Sequence, residues 1–285
     1  MISFQTLGRA LGAGLLSMAI AGCGGGGGGK ASVTNVSASG LFYQATMTVT
    51  VSGSGFTDSG LNMVVEGACG PVTAVTGGTD AQLQFSCKVG ATGPIVPRIR
   101  DGSGTELASL RLDVPKPQVR MTVAQGDRSG SFLLELDANA APITVTNFLN
   151  LVAAGFYPNT IFHRVIPGSL VQGGGFLSNL TLKTGVFTAI KLESNNGLKN
   201  LRGTIAMART DAPDSATTQF YLNLIDNPAF DYQSDAKPGY AVFGSIISGI
   251  EVMDEIGKVD LVSDNTTTPD LPLTDVTITA VQRLK

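Results

Sequence analysis

The sequence predicts a mainly β chain in two domains, a small β-sandwich over residues 31–115 and a larger strand-rich domain with two helices over residues 117–285. Three observations lead there. Short runs alternate apolar and polar residues along most of the chain, as half-buried strands do. Glycine- and proline-bearing pairs such as Gly77-Gly78, Gly93-Pro94 and Asp101-Gly102 separate them. Helical spacing of apolar residues occurs twice, both times in the second domain.

The bulk composition narrows the function. Of 285 residues, 43% are hydrophobic and 14% charged, enough to build cores rather than a disordered chain. The net charge of −3, with no cluster of Lys and Arg, excludes a phosphate backbone as the main partner. A single histidine, His163, excludes a multi-histidine metal centre, and no metal or cofactor is expected.

The first 22 residues read as an export signal. Arg9 precedes an apolar stretch over 11–21, shorter than the ~20 residues that span a bilayer. The stretch ends in Ile20-Ala21-Gly22-Cys23, which resembles the bacterial lipobox. That resemblance implies lipid attachment at Cys23 and an exported lipoprotein held by its N-terminal anchor. Gly24, where Asp would hint at inner-membrane retention, makes the outer membrane, facing the periplasm, the expected site. Residues 23–30, with glycine throughout 24–29, form a flexible tether. Cys69 and Cys87 remain, and in an oxidising compartment they make a disulfide, or two buried thiols, the available outcomes.

In the first domain, Ala45-Thr46-Met47-Thr48-Val49-Thr50-Val51 alternates with period two, and Ser52-Gly53-Ser54-Gly55 breaks it. Further strands are expected over 61–66, 82–87, 95–100 and 107–112. The segment Val49-Thr50-Val51-Ser52-Gly53-Ser54-Gly55-Phe56 resembles immunoglobulin-like modules. Pro115 and Pro117 make a stiff connector.

The second domain begins with a strand over 131–136. Pro142, in a first helical turn, then leads a face of Phe148, Leu149 and Val152 that ends by Gly155. Residues 160–166 alternate as one strand, with Phe162, Arg164 and Ile166 on one face and Ile161, His163 and Val165 on the other. Gln219, Tyr221 and Asn223 share a strand face. A strand over 240–246 follows, then a helix carrying Ile250, Met253 and Ile256.

Five segments in this domain resemble cyclophilins. They are Phe162-His163-Arg164-Val165-Ile166-Pro167-Gly168, Gln172-Gly173-Gly174-Gly175-Phe176, Gly203-Thr204-Ile205-Ala206-Met207-Ala208-Arg209-Thr210, Ser215-Ala216-Thr217-Thr218-Gln219-Phe220-Tyr221 and Tyr240-Ala241-Val242-Phe243-Gly244. The resemblance implies an eight-stranded antiparallel barrel capped by two helices. It also implies cis-trans isomerisation of X-Pro bonds in proline-containing polypeptides by a monomer. It assigns Arg164 as the donor to the prolyl nitrogen and Gln172 as the residue that orients Arg164. It assigns peptide contact to Phe162, Leu170, Ala208, Arg209, Gln219, Tyr221, Phe230 and Tyr240. His163 is expected to be a packed structural histidine.

The residue types suit that chemistry. Rotation about a peptide C–N bond meets a barrier of about 18–20 kcal/mol because the bond is partly double. Twisting returns a lone pair to the prolyl nitrogen, and a permanently charged guanidinium with rigid donors can meet it. Three positions depart from the family pattern: Ser169 replaces a phenylalanine of the proline slot, Ala229 aligns with an aromatic, and Tyr240 stands where many relatives have histidine. Pro228 could shift that alignment by one and put Phe230 at the aromatic position. These departures predict reduced turnover, or, in the alternative, a proline-peptide binding module with little catalysis.

Overall fold

The computed structural model describes residues 16–19, 30–185, 187–262 and 270–285. Most of the export signal, Cys23 and nearly all of the tether lie outside the described residues. The chain divides into two compact units, which part between Pro115 and Lys116. Among the described residues no helix is long and apolar enough to cross a membrane.

The first unit holds two antiparallel sheets. One contains β1 (Leu16–Ala19), β2 (Ser32–Ser39), β3 (Thr46–Ser54), β6 (Gln82–Lys88) and β5 (Thr73–Ala74), in the order β1-β2-β3-β6-β5. The other is built on β4 (Asn62–Glu66), β7 (Gly93–Arg100) and β8 (Glu106–Ser109), with β9 (Leu112–Val114) also paired to β7. The alternation in β3 turns Met47, Val49 and Val51 inward, where they meet Phe85 of β6 and Met63, Ile95 and Ile99 of the other sheet. Two sheets burying one shared set of side chains make a sandwich. The expected strand over 107–112 is two short strands, interrupted at Leu110, whose side chain is buried and whose N–H bonds the Pro97 carbonyl. Cys69 and Cys87 form a disulfide with their Cα atoms 5.7 Å apart.

The second unit is an eight-stranded sheet. Its strands are β10 (Gln118–Gln125), β11 (Arg128–Leu136), β12 (Arg164–Ile166), β13 (Leu170–Gly173), β14 (Thr204–Met207), β15 (Phe220–Asn223), β16 (Val242–Ser248) and β17 (Thr277–Arg283), in the order β12-β13-β15-β14-β16-β11-β10-β17. The sheet curls until its ends meet. The segment before β12 joins β17 through an Ile161–Thr277 bridge and hydrogen bonds from Phe162 N to Val276 O (2.9 Å) and Ile278 N to Thr160 O (2.8 Å). Closure covers the start of the β17 edge. Helix α1 (Pro142–Ala153) starts on the expected proline and buries Val145, Phe148, Leu149, Leu151 and Val152. Phe148 lies at the centre of an interior aromatic group, 5.1 Å from Tyr157, 5.3 Å from Phe243 and 6.0 Å from Phe220 between ring centres. Helix α2 (Ile250–Ile256) buries Met253 and Ile256.

The expected strand over 160–166 is shorter. The chain pairs with β17 up to Phe162 and with β13 from Arg164 onward, so alternation resets at His163. Phe162 therefore faces inward. It is fully buried, with its ring centre 6.0 Å from that of Phe220, and cannot touch a peptide outside the barrel. The expectation that Phe162 contacts substrate is corrected on this ground.

The disulfide spans 18 positions of sequence, a loop whose closure is worth about 3 kcal/mol. Reducing it in the intact chain should therefore speed hydrogen exchange of β3 and β6 amides by about two orders of magnitude. Exchange in β10 to β17 should stay unchanged. Equal exchange before and after reduction would contradict this.

Candidate active site

Strand register assembles the site. Arg164 of β12 lies directly opposite Gln172 of β13, and Gln172 opposite Tyr221 of β15. Tyr221 in turn pairs with Ala206 of β14, and Ala206 with Val242 of β16. Residues paired across an antiparallel sheet point to the same face. The neighbouring row, Val165, Val171, Leu222, Ile205 and Gly244, points the other way and is buried.

An apolar patch adjoins Arg164 and Gln172 on the outer face. Leu170, Ala206, Tyr221 and Val242 are its buried members, with Ile166, Ala208, Phe230 and Tyr240 packed on them. Tyr221, Phe230 and Tyr240 meet edge to face, with ring centres 5.5–6.0 Å apart. Phe230 lies on a 3-10 turn (Pro228–Phe230), where its ring joins this group while Ala229 is exposed. Tyr240 is held from both sides. Its N–H bonds the Phe230 carbonyl (2.9 Å), and the Arg209 guanidinium stacks 4.7 Å over its ring. Arg209 also donates from Nε and Nη2 to the Gly239 carbonyl at 3.0 and 2.8 Å. Gly239 has φ +62°, and a Cβ there would strike the Phe230 carbonyl, so only glycine makes this turn.

The polar residues are tied more specifically than the sequence indicates. Gln172 Nε2 donates to Gln219 Oε1 at 3.1 Å, joining two of the expected site residues. Gly175 makes room for this pair, because a Cβ there would lie 2.5 Å from Gln219 Cγ. The Gln219 carbonyl accepts from Ala208 N at 3.0 Å. Ser169, half-buried, accepts at its carbonyl from Leu224 N (2.8 Å) and Asn227 Nδ2 (3.1 Å). The orientation of Arg164 differs from expectation. Among the described residues no hydrogen bond joins it to Gln172. Its Nε instead donates to Asp270 Oδ2 at 3.0 Å, and among the described residues the two Nη groups have no acceptor. Asp270 escaped the sequence reading because it lies 106 positions away from Arg164 in the chain.

A buried polar network adjoins the apolar patch through Tyr221. Tyr221 Oη donates to Asn200 Oδ1 at 2.7 Å, and Asn223 Nδ2 donates to the same atom and to Thr204 Oγ1. Asn200 N and Nδ2 both donate to Asp231 Oδ1, at 2.7 and 3.1 Å. Burial pushes the Tyr221 hydroxyl far above the usual phenol range, aided by nearby Tyr240 and Asp231, so it stays protonated.

The sequence of this domain matches a known family. Residues 119–282 match the family described as cyclophilin type peptidyl-prolyl cis-trans isomerase. The chain belongs to the cyclophilin family. It is 52% identical over 132 residues to peptidyl-prolyl cis-trans isomerase A of Dickeya dadantii, spanning 46% of this chain and 68% of that protein. It is 44% identical over 154 residues to peptidyl-prolyl cis-trans isomerase B of Escherichia coli, spanning 53% and 93%. Among solved structures, a Cryptosporidium parvum cyclophilin crystallised in the presence of the dipeptide Ala-Pro aligns at a TM-score of 0.48 and 25% identity, over 59% of this chain and 99% of that one.

His163 does not join the cyclophilin site. Its ring packs on Phe176 at 4.5 Å, and its buried Nδ1 has no hydrogen-bond partner among the described residues. Burial lowers its pKa to about 4, the Arg164 charge adds to this, and a hydrogen bond with the Ile161 backbone opposes it. The folded value lies below the ordinary 6.5, so the folded state favours the neutral ring. The stability this contributes is present above pH 6.5 and is lost as pH falls from 6.5 toward 4. As the chain has one histidine, a single imidazole resonance should titrate near pH 4, while activity stays flat from pH 6 to 8. An imidazole midpoint near 6.5 would refute the buried, neutral assignment.

Proposed function

We propose that the C-terminal domain isomerises X-Pro bonds by binding the twisted amide more tightly than the planar one, with Arg164 donating from Nη to the prolyl nitrogen. The observation that carries this reading is a guanidinium whose Nη groups have no acceptor among the described residues, beside an apolar, partly aromatic patch on one sheet face. The patch of Leu170, Tyr221, Phe230 and Tyr240 grips the ring, while Gln172, Gln219 and the backbone at Ala208 and Arg209 hold the flanking peptide. The reaction needs no nucleophile and no net proton transfer. Stabilisation confined to the twisted state lowers the barrier, whereas equal grip on both states does not.

A donor aimed at developing charge is worth about 2.7–4 kcal/mol, or about 10²–10³ in rate. In a protease-coupled assay on a short X-Pro peptide, Arg164→Ala should lose kcat/KM by about that factor. If wild type and variant turn over equally, or neither exceeds the uncatalysed rate, the domain is a proline-peptide binding module instead.

We further propose that the protein is an exported lipoprotein assisting the folding of exported proteins, with an immunoglobulin-like module between anchor and isomerase. The lipobox-like Ile20-Ala21-Gly22-Cys23 supports the anchor. The Cys69–Cys87 disulfide supports an oxidising compartment, and the shared core of two sheets supports the module assignment. Cys23→Ser should abolish incorporation of labelled palmitate and move the protein from the membrane fraction to the soluble one. Retained label in that variant would place the lipid elsewhere.

A further inference from the structure

We propose that Asp270 is a positioning residue for isomerisation: its carboxylate engages Nε of Arg164, fixes the plane of the guanidinium and leaves both Nη groups facing the substrate. The inference rests on the role given to Arg164 above.

Two independent contacts bring Asp270 to this place. Its side chain accepts from Arg164 Nε at 3.0 Å, and its main-chain carbonyl accepts from Val165 N at 2.7 Å, one residue along β12. The segment that follows is stitched down on its far side. Val262 N donates to the Leu271 carbonyl at 2.9 Å, and Leu273 N donates to the Asp260 carbonyl at 2.7 Å. Leu261 and Pro272 form a bridge between those two bonds. The carboxylate therefore stands on an anchored backbone.

The pair is partly solvent-exposed, with 47% of the Arg164 side chain and 33% of that of Asp270 accessible. Exposed ion pairs contribute little to stability. Its consequence is geometric. An arginine side chain left in water samples many rotamers, and a donor serves a transition state only from a narrow range of positions. Gln172, opposite Arg164 in register, makes no hydrogen bond to it among the described residues, and its Nε2 donates to Gln219.

Replacing the side chain leaves the Val165–Asp270 main-chain bond in place, so Asp270→Ala should fold with an unchanged melting temperature. In the intact protein, Asp270→Ala should lower kcat about tenfold with KM within about twofold, because a transition-state donor has been loosened rather than substrate grip removed. Asp270→Asn keeps an oxygen acceptor for Nε and should recover to within about threefold of wild type. Added to Arg164→Ala, the Asp270→Ala change should cost nothing further, since its effect passes through the guanidinium. A variant as fast as wild type, or faster, while Arg164→Ala remains slow, would overturn the inference and leave the role of Arg164 intact. The same loss with and without Arg164 would also overturn it, pointing to a structural effect. An inactive wild type, or an unimpaired Arg164→Ala, would overturn the Arg164 reading and this inference together.

Discussion

Register across β12, β13, β15, β14 and β16 is the constraint on which the site depends. One row of paired residues, from Arg164 through Gln172, Tyr221 and Ala206 to Val242, faces outward; the adjacent row, from Val165 to Gly244, faces in. A slip of one residue in any strand would exchange the two rows. The inward row prevents it. Val165, Val171, Leu222 and Ile205 are fully buried, and exposing each would cost about 1.5–3 kcal/mol. Those terms together exceed anything the polar contacts of the outer face contribute. Even the irregularity in β14 serves the packing. The shift between Ile205 and Ala206 pairs Ala206 with Val242 and leaves Phe243 free to enter the interior against Phe148.

The polar network at Tyr221 transmits that order to the loops. Asn200 is almost completely buried, and it bonds Tyr221, Asn223 and Asp231. Asp231 follows Phe230, so one asparagine links Tyr221 of the apolar patch to the turn that supplies another of its rings. Buried polar atoms cost free energy when unpaired, which makes a satisfied network selective for one arrangement. The patch is thus shaped by apolar packing and by the hydrogen bonds of this network.

Much of this was legible in the sequence, because the signals are local. Pro142 and the face from Phe148 to Val152 locate α1, and Gln219 and Tyr221 two apart announce a shared face. The failures occur where the chain changes partners. Alternation over 160–166 implies one strand, yet the segment belongs to β17 before His163 and to β13 after it. Local periodicity carries no record of such a switch, so Phe162 was assigned to the wrong face. Asp270 illustrates the same limit in side chains. Nothing near Arg164 in sequence indicates a carboxylate, and the pairing follows only from closure, which brings the segment before β17 alongside β12. Gln172 is adjacent in register, yet among the described residues its side chain bonds Gln219 and not Arg164.

Ser169 shows how the two parts of the site can vary separately. Cyclophilins carry an aromatic at this position. Here the residue is fixed by its backbone and by Asn227, whose Nδ2 also bonds Asn223 Oδ1 at 2.8 Å. A ring missing from the rim reduces contact with the proline in its planar and twisted states alike. Loss of such uniform binding raises KM and leaves kcat untouched. In the proposed mechanism the guanidinium acts on the twisted state alone, so its effect would fall on kcat. The three rings of Tyr221, Phe230 and Tyr240 pack edge to face on one another without any ring at position 169. Under the proposed mechanism, a weaker grip on the ring and an undiminished pull on the nitrogen are therefore compatible in one protein.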